Sequence, residues 1–280
     1  MLFRSAEVGA ALVAHPEVPC ISFTGSTAAG RRIGEAAAPL LKKVHLELGG
    51  NNALLVMPDA DLEAAASAGA WGSFLHQGQI CMTTGRHLVP RERVEEYAAL
   101  LAEKAAHLPV GDPTDPANAL GPLIDAGQLE KVHAIVEQTV AAGARVLAGG
   151  THEGPFYRPT VLVDVPLDAP AFTQEIFGPV APIVGYDTLE EAIAIINASE
   201  YGLSVALLTS DPFAALELST RIRAGAIHIN DQTVDDEAVA PFRGAKASGS
   251  GGHFGSTANL DTFCDLQWVT VQGEIERYPF

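Results

Sequence analysis

Short apolar runs alternate along the chain with alanine-rich segments of helical periodicity. The apolar runs lie at residues 20–23, 44–48, 53–56, 145–147, 180–186, 204–208 and 226–229. Helical patterns begin at residues 26, 61, 189 and 212 and also cover residues 93–106 and 126–142. Strands that alternate with helices favour a mostly parallel sheet with helices on its faces, so the pattern predicts an α/β fold.

Turn-forming residues interrupt this pattern at two places. Residues 111–116, Gly-Asp-Pro-Thr-Asp-Pro, predict a connector between helices. Residues 246–256 are rich in glycine and serine and predict a loop, which is either a flexible connection or a segment that closes an active site. A last strand is expected at residues 268–271, where it would serve contacts between subunits.

The composition predicts a globular protein without a nucleic-acid partner. Hydrophobic residues make up 48% of the 280 residues, enough for one large core or two ordinary ones. With 17 basic and 34 acidic residues the net charge is −17, and no Lys/Arg run offers a phosphate-binding patch. No apolar run approaches the roughly 18 residues of a membrane span, and the start of the chain is charged where a signal peptide needs an apolar core. We therefore expect a cytoplasmic protein that does not contact a membrane.

Cysteine and histidine usage predicts neither disulfides nor a catalytic metal. The three cysteines, Cys20, Cys81 and Cys264, are widely spaced and odd in number. The sequence contains no Cys-x-x-Cys and no His-Glu-x-x-His motif. A reducing compartment follows.

The segments around Cys81 and Glu47 carry the candidate chemistry. Cys81 lies in Gly78-Gln79-Ile80-Cys81, and Glu47 lies 81 − 47 = 34 positions earlier, directly before Leu48-Gly49-Gly50. A thiolate adds to carbonyl carbons, so the site should lower the thiol pKa from about 8.5, and a carboxylate can take the thiol proton. Each residue alone also has an ordinary explanation, as a small buried side chain or a solvated surface group.

Together the two segments resemble those of the NAD(P)-dependent aldehyde dehydrogenases, whose Gly-Gln-x-Cys turn and Glu-x-Gly-Gly segment stand at this separation. The resemblance implies that Cys81 adds to an aldehyde and that hydride passes to NAD or NADP. It also implies that Glu47 activates the water that cleaves the resulting thioester. The implied partners are a small-molecule aldehyde and, in the full-length protein, further copies in a homodimer or homotetramer.

A second motif, Thr24-Gly25-Ser26-Thr27-Ala28-Ala29-Gly30, follows a strand and opens a helix. Such a helix start binds anions through its free N–H groups, and Ser26 could donate a hydrogen bond to a phosphate. The alternative is that Ser26 or Thr27 simply caps the helix. The family resemblance favours the phosphates of the dinucleotide, held by Thr24, Gly25, Ser26 and Gly30, with Thr24 near the nicotinamide ring.

Further segments extend the resemblance. Glu175-Ile176-Phe177-Gly178-Pro179 matches a family motif, which implies that Glu175 accepts hydrogen bonds from the nicotinamide ribose and that Phe177 lies beside the ring. Asn230 and the run Pro241-Phe242 also match, but Arg243 replaces the usual glycine and could tighten or recharge the loop near the substrate mouth.

The resemblance implies an α/β, aldehyde dehydrogenase-like fold with a parallel-sheet catalytic domain and an incomplete Rossmann-like cofactor domain. We divide the chain into residues 1–49, a remnant of the cofactor domain, residues 50–249, the catalytic domain, and residues 250–280, a C-terminal return used in oligomer contacts. Residues 1–5 stand where the family continues from a preceding strand, so we expect an N-terminally truncated chain with impaired activity.

The substrate and two rival functions remain to be decided. The segments at residues 76–86 and 228–234 look most like the benzaldehyde and vanillin dehydrogenase branch, which implies an aromatic aldehyde. Phe74, Ile80, Met82 and Phe242 could wall an apolar slot, although Phe74 is equally suited to a helix core. The rival functions are a cysteine-dependent acyl hydrolase and an inactive fragment that acts only as an assembly or binding partner.

Overall fold

The computed structural model describes residues 6–280 and shows an alternation of strands and helices. The helices are α1 (Ala6–Ala14), α2 (Thr27–Ala37), α3 (Leu62–Phe74), α4 (Val94–His107), α5 (Ala126–Ala141), α6 (Pro170–Thr173), α7 (Leu189–Ala198), α8 (Pro212–Ser219) and α9 (Ala258–Phe263). The strands are β1 (Cys20–Thr24), β2 (Lys43–Glu47), β3 (Asn52–Val56), β4 (Thr84–Pro90), β5 (Arg145–Ala148), β6 (His152–Glu153), β7 (Phe156–Tyr157), β8 (Thr160–Val163), β9 (Val180–Tyr186), β10 (Tyr201–Gly202), β11 (Ser204–Leu208), β12 (Ala226–Ile229), β13 (Ala245–Lys246) and β14 (Gly249–Ser250).

The main sheet has seven strands in the order β12-β11-β3-β4-β9-β8-β5. Its neighbouring strands run parallel except for β5, which pairs antiparallel with β8 at one edge. Two parallel strands that follow one another in the chain need a long crossover connection, and most of these connections contain a helix in this sheet. The predicted α/β fold class with a mostly parallel sheet is confirmed.

Alternate residues of the central strand β3 serve two separate hydrophobic cores. Ala53 and Leu55 belong to a core with residues of α5, α7 and α8, whereas Leu54 and Val56 belong to a core with residues of α3 and α4. All four are fully buried because side chains along a strand point alternately to the two faces of the sheet. The result is a sheet between two helical layers.

A second, smaller sheet has the order β1-β2-β14. β1 and β2 run parallel, and β14 pairs antiparallel with β2, so Gly249 lies opposite Glu47. The predicted loop at residues 246–256 is therefore anchored to the strand that carries Glu47. Gly249 and Ser250, on either side of the predicted boundary at 249/250, both pair with β2, which belongs to the predicted cofactor-domain remnant. The division of the chain into three parts at 49/50 and 249/250 stays a prediction.

Helices α2, α3, α5, α7 and α8 begin with side-chain caps, as their sequences lead one to expect. The capping residues are Ser26, Asp61, Asp125, Thr188 and Asp211, each of which accepts a hydrogen bond from a backbone N–H in the first turn. Such a cap typically contributes about 1 kcal/mol. These caps fix the residue at which each helix begins.

The strand predictions contain one error, and they omit two strands of the main sheet as well as the short two-residue strands β6, β7, β10, β13 and β14. Residues 268–271 have no regular structure, because no strand within residues 6–280 offers them a hydrogen-bonded partner, and Trp268 is 91% exposed. β4 and β8 were not predicted, although both lie inside the main sheet. The prediction about residues 1–5 lies outside the described residues.

Membrane-spanning and metal-binding features are not found in the described part of the chain. Among residues 6–280, no helix is both long and apolar enough to cross a bilayer. The same residues include no group of three or more His, Cys, Asp or Glu side chains that could hold a metal ion.

Candidate active site

Cys81 follows a turn with an unusual backbone conformation. The short 3₁₀ helix Leu75–Gly78 that ends α3 contains His76, Gln77 and Gly78 with φ angles of 50°, 58° and 65°. Gly78 has no room for a side chain, because a Cβ atom there would lie 2.1 Å from the carbonyl oxygen of Gly178. The turn that carries Cys81 thus packs backbone against backbone on the Glu175–Pro179 motif.

Two polar side chains hold the turn after Cys81 in place. The Asn52 amide nitrogen donates to the carbonyl oxygens of Cys81 and Thr83, both at 2.8 Å, and its oxygen accepts from the Ser204 N–H at 3.0 Å. Thr233 donates from Oγ1 to the Met82 carbonyl oxygen at 2.6 Å. Sequence analysis missed both residues. The signal for Asn52 was a polar residue at the start of an otherwise apolar, buried strand.

The Cys81 thiol lies half-buried in an acidic environment. Burial, and then the charges of Glu175 and Glu47, raise the pKa of Cys81 to about 11. The expectation that the site lowers the thiol pKa is therefore wrong for the protein alone, because burial and then the two carboxylates disfavour a negative charge on the sulfur. The same effect shows that Cys81, Glu47 and Glu175, from three separate segments, share one site.

Glu47 ends β2 and is almost completely buried, with 5% of its surface exposed. Its Oε1 lies 3.0 Å from His45 Nε2, whereas its Oε2 is buried without a hydrogen-bond partner. Burial raises the pKa of Glu47 to about 7, although the Gly244 backbone and the Arg243 charge act in the opposite direction. A carboxyl group with this pKa can exchange protons near neutral pH.

Glu175 occupies the space beside the Gly49-Gly50 pair. Its Oε1 accepts a hydrogen bond from the Gly50 N–H at 2.9 Å, and burial raises the pKa of its carboxyl group. A Cβ atom on Gly49 would lie 2.2 Å from Glu175 Oε2, and one on Gly50 would lie 2.5 Å from the Cys81 carbonyl oxygen. The two glycines therefore allow the Glu47 segment to approach both Glu175 and the Cys81 turn.

Phe177 lies in the same motif and has a left-handed backbone, with φ of 57°. Gln128 fixes this conformation by donating to the carbonyl oxygen of Phe177 at 2.7 Å. Phe177 and Glu175 line a small cavity together with Gly50 and Ile80, the residue before Cys81. The structure thus places both residues of this motif next to the Cys81 turn.

The predicted phosphate-binding segment lies beside the Glu47 strand. Thr24 is the strand partner of Glu47, and the Gly25 N–H donates to the Glu47 carbonyl oxygen at 3.0 Å. Ser26 Oγ accepts from the Ala29 N–H at 3.2 Å, so the predicted helix cap is confirmed. Gly30 is buried where a Cβ atom would lie 2.4 Å from the Leu48 side chain. A phosphate-binding role for these residues stays a prediction.

The surroundings of this segment fit a dinucleotide. α2 has no acidic residue in its first turn, so its N-terminus does not repel a phosphate. Beside it lies a mainly apolar hollow of about 770 Å³ between α1, β1 and α2, suited to a flat aromatic base and lined by residues that include Val13, Ile21, Phe23 and Ile33. The residues present could therefore hold both the charged and the flat parts of the cofactor.

Two predicted features near the substrate mouth have clear outcomes. Arg243 donates to the Gly251 carbonyl oxygen at 2.7 Å, and its charge lowers the pKa of Glu47. Arg243 therefore both restrains the loop at residues 246–256 and adds a positive charge near Glu47. Phe74 is 1% exposed and belongs to the core around α3, so it is a core residue and not a wall of the site. Met82 is also buried, which leaves Ile80 and Phe242 partly exposed.

Solved structures share this fold across almost the whole chain. An NAD-dependent aldehyde dehydrogenase from Sinorhizobium meliloti is 34% identical, with a TM-score of 0.93, and the match covers 98% of this chain and 55% of that chain. Aldehyde dehydrogenase C from Pseudomonas syringae, solved with NAD+ and octanal, is 37% identical, with a TM-score of 0.87, over 91% of this chain and 53% of that chain.

Sequence relatives point to the same group of proteins. A vanillin dehydrogenase from Amycolatopsis sp. is 56% identical, and a benzaldehyde dehydrogenase [NAD(+)] from Pseudomonas putida is 50% identical, each over 98% of this chain. The chain spans 57% and 56% of the lengths of these two relatives. The profile of the aldehyde dehydrogenase family matches residues 2–269. The chain belongs to the aldehyde dehydrogenase family.

Proposed function

We propose that the protein oxidises an aldehyde to the carboxylic acid, with Cys81 as the nucleophile, Glu47 as the base and NAD or NADP as the hydride acceptor. The observation that carries this proposal is that the segments of Cys81, Glu47 and Glu175 meet at Gly50, whose N–H donates to Glu175 Oε1 at 2.9 Å and where a Cβ atom would lie 2.5 Å from the Cys81 carbonyl oxygen. Such convergence of a thiol and a near-neutral carboxyl group is what addition to a carbonyl and later hydrolysis require.

The first half of the reaction moves a proton from sulfur to oxygen. The Cys81 thiol is neutral at physiological pH because its pKa is about 11, whereas Glu47, with a pKa of about 7, is largely ionised above neutrality. As the sulfur forms a bond to the aldehyde carbon, the thiol proton passes to Glu47. When bound, the nicotinamide cofactor supplies the hydride acceptor and a positive charge that favours the thiolate.

The second half of the reaction uses the same base. The thioester on Cys81 is cleaved when a water oxygen bonds to the carbonyl carbon and the bond from that carbon to sulfur breaks, which releases the carboxylic acid and leaves Cys81 as a thiolate. Once the proton taken from the thiol has passed to solvent, Glu47 takes the proton from that water, and its Oε2, which has no hydrogen-bond partner among residues 6–280, is the free acceptor. A base placed in this way typically contributes about 10²–10⁴-fold.

The cofactor-binding roles are proposed from the motif resemblance, and the helix start at α2 supports them. We propose that Gly25, Ser26 and Gly30 hold the phosphates at the N-terminus of α2, with Thr24 near the nicotinamide. Glu175 and Phe177 lie next to the Cys81 turn and are proposed, on the motif resemblance, to contact the nicotinamide ribose and ring.

The substrate is proposed to be an aromatic aldehyde. Support comes from the names of the relatives, which include vanillin, benzaldehyde and salicylaldehyde dehydrogenases. The partly exposed Ile80, directly before Cys81, and the partly exposed Phe242 offer apolar surface to an aryl ring. The fully buried Phe74 takes no part in this contact.

Homo-oligomer formation is proposed for the C-terminal segment. Apolar side chains at the end of the chain are strongly exposed, at 99% for Leu266, 91% for Trp268 and 97% for Ile275. Contiguous exposed apolar residues of this kind mark interaction surfaces. The molar mass in solution, measured by light scattering with and without residues 266–280, tests this assignment, and a monomer in both cases would refute it.

The function is tested by following two products together. Reduced nicotinamide absorbance and carboxylic acid are measured with vanillin and benzaldehyde, for the 280-residue chain and for a fusion that adds the part of the Amycolatopsis relative not covered by this chain. We expect equal amounts of both products in the fusion, abolished by Cys81→Ser and lowered at least about 10²-fold by Glu47→Gln. The exposed Cys264→Ser variant is the matched control and should retain turnover.

Other outcomes support the rival functions. Cleavage of an activated ester at Cys81 without any nicotinamide reduction would favour an acyl hydrolase. The absence of both reduced nicotinamide and carboxylic acid, together with stable association with another chain, would favour a binding role. An aldehyde adduct on Cys20 or Cys264 with Cys81 unmodified would refute the assignment of the nucleophile.

A further inference from the structure

A buried histidine and a hydroxyl group form a chain of hydrogen bonds that ends on Glu47. His45 and Glu47 are two positions apart on β2, so their side chains point to the same face of the sheet. His45 Nε2 lies 3.0 Å from Glu47 Oε1, and His45 Nδ1 lies 3.0 Å from the Oγ of Ser22, its strand partner on β1. His45 is 3% exposed.

Aromatic and charged groups enclose the His45 ring from the C-terminal part of the chain. The rings of Phe254 and Phe263 meet it edge-on at centroid distances of 5.8 and 5.9 Å. Burial, and then the charges of His253 and Arg243, lower the pKa of His45. The ring is therefore neutral, and its contact with Glu47 is a hydrogen bond and not an ion pair.

A neutral imidazole has one N–H donor and one acceptor nitrogen. Glu47 above its pKa offers only acceptors, so Nε2 of His45 must carry the hydrogen that faces Oε1. The Ser22 hydroxyl then donates to Nδ1, which leaves that nitrogen as the acceptor and fixes the tautomer of the ring. Each polar atom in the chain from Ser22 to Glu47 Oε1 is satisfied in this arrangement.

We infer that His45, held by Ser22, is a positioning residue for Glu47: it fixes Oε1 through a hydrogen bond and leaves Oε2 as the atom that takes the proton. The inference rests on the proposed function, in which Glu47 is the base. Oε2 is buried and has no partner within the described residues, so it is the oxygen free to receive a proton from the Cys81 thiol or from water.

The hydrogen bond from His45 also affects the proton affinity of Glu47. A donor that faces a carboxylate stabilises its charged form. The other groups that face Glu47 are Arg243 and the Gly244 backbone, which also favour the charged form, and the Cys81 thiol. Loss of the His45 donor should therefore raise the pKa of Glu47 by about 1 to 2 units, the range that a hydrogen bond to a charged group supplies.

The test measures the Glu47 carboxyl group directly. Glutamate side-chain carboxyl carbons are labelled with ¹³C, the Glu47 resonance is assigned with Glu47→Gln, and its pH titration is followed by NMR. In His45→Leu the midpoint should move to higher pH by about 1 to 2 units. In His45→Gln the side-chain amide supplies a donor to Glu47 Oε1, so the titration midpoint of Glu47 should return most of the way to its value in the unchanged protein.

His87 provides the matched control. Its ring is also fully buried between two hydroxyl groups, Ser73 Oγ at 2.8 Å from Nε2 and Tyr97 OH at 2.7 Å from Nδ1, but it contacts no carboxylate in the described structure. His87→Leu should lower stability and leave the Glu47 titration unchanged. A His45→Leu midpoint equal to that of the unchanged protein would overturn the inference.

A second measurement needs no variant and no activity. The ¹⁵N shifts of the His45 ring should show a protonated Nε2 and a bare Nδ1 above the pKa of Glu47. The opposite tautomer would overturn the inference even where His45→Leu does not fold. Both NMR measurements are made without aldehyde or nicotinamide, so their outcome is separate from the product assay that tests the proposed function.

Discussion

Asn52 holds Cys81 through a hydrogen bond from its side-chain amide to the Cys81 carbonyl oxygen, 2.8 Å long. The same side chain also satisfies Thr83 and Ser204, so it joins the Cys81 turn, β3 and the start of β11. The position of the thiol is therefore set by an amide located in the segment that follows Glu47. This arrangement links the Cys81 turn to the strand that follows the Glu47 segment.

Replacement of Asn52 by leucine should impair both stability and the placement of Cys81. One buried backbone group, the Ser204 N–H, and two half-buried carbonyl groups would lose their partner, and each such loss costs up to about 1–3 kcal/mol. We expect a total loss of about 3 kcal/mol in urea unfolding, together with a changed rate of Cys81 alkylation. In the control Asn197→Leu, which breaks two hydrogen bonds to Arg221 and Arg223, stability should fall and the alkylation rate should stay the same.

The Gly78 position provides a test of the close contact between two motifs. Gly78→Ala should be more destabilising than Gly154→Ala, although both residues have left-handed backbones, with φ of 65° and 55°. The strain of alanine in that conformation costs about 1–2 kcal/mol at either site. Only at Gly78 would the new Cβ atom also meet a backbone oxygen, that of Gly178 at 2.1 Å, whereas Gly154 has open space. Equal unfolding free energies for the two variants would contradict the tight contact.

Strand β4 shows where hydrophobic patterning failed. Its sequence, Thr-Gly-Arg-His-Leu-Val-Pro, has charged and polar residues at positions that a central strand normally fills with apolar ones. Arg86 is nevertheless buried, because its guanidinium donates to the Asn51 carbonyl oxygen and lies over the Phe172 ring. His87 is buried between Ser73 and Tyr97. Arg86 and His87 can be buried because residues from distant segments supply their hydrogen-bond and ring partners. The local pattern of hydrophobic and polar residues does not reveal such partners.

The proximity of three candidate residues was predictable from their motifs, while their roles stay predictions. Cys81, Glu47 and Glu175 lie close enough to influence one another's charge, as the motif resemblance implied. His45 and Asn52 were missed because their importance depends on hydrogen bonds to Glu47 and Cys81. The two-residue spacing of His45 and Glu47 on a strand was the available signal for the first of these.

The thiol of Cys81 should be slow to react in the protein alone. Burial and two carboxylates raise the pKa of Cys81 to about 11, so little thiolate is present near neutral pH. Alkylation by iodoacetamide, followed by mass spectrometry of the Cys81 peptide, should accelerate with pH up to the highest accessible values. Glu47→Gln removes one negative charge and should lower the midpoint of the rate profile, although burial, the larger cause, keeps it above the usual value.

The Cys264 peptide supplies an internal reference for this measurement, because Cys264 is exposed in the same protein. Its alkylation rate should not respond to Glu47→Gln. A midpoint for Cys81 below about 8.5, the usual value for a free thiol, would show that the carboxylates do not act on it as described.

Glu47 should reduce the stability of the folded protein at the pH at which it acts as a base. Burial raises the pKa of Glu47 from 4.5 to about 7, so the folded state binds this proton more tightly than the unfolded state does. The associated stabilisation is fully present below about pH 4.5 and is lost as the pH rises through about 7. Each pKa unit corresponds to about 1.4 kcal/mol, so the ionised side chain costs about 3 kcal/mol.

Glu47→Gln should therefore stabilise the protein by up to about 3 kcal/mol at pH 8 and have little effect at pH 4.5. Glutamine keeps an oxygen that can accept the hydrogen bond from His45 Nε2, so the neighbouring contacts survive the substitution. Urea unfolding at the two pH values measures the difference, and Glu35→Gln, on the exposed face of α2, should change stability by less than about 0.5 kcal/mol at both. A Glu47→Gln effect that is equal at pH 4.5 and pH 8 would mean that burial does not disfavour the charge of Glu47. The expected gain, together with the expected loss of turnover, would identify this carboxylate as a group kept for reactivity at the expense of stability.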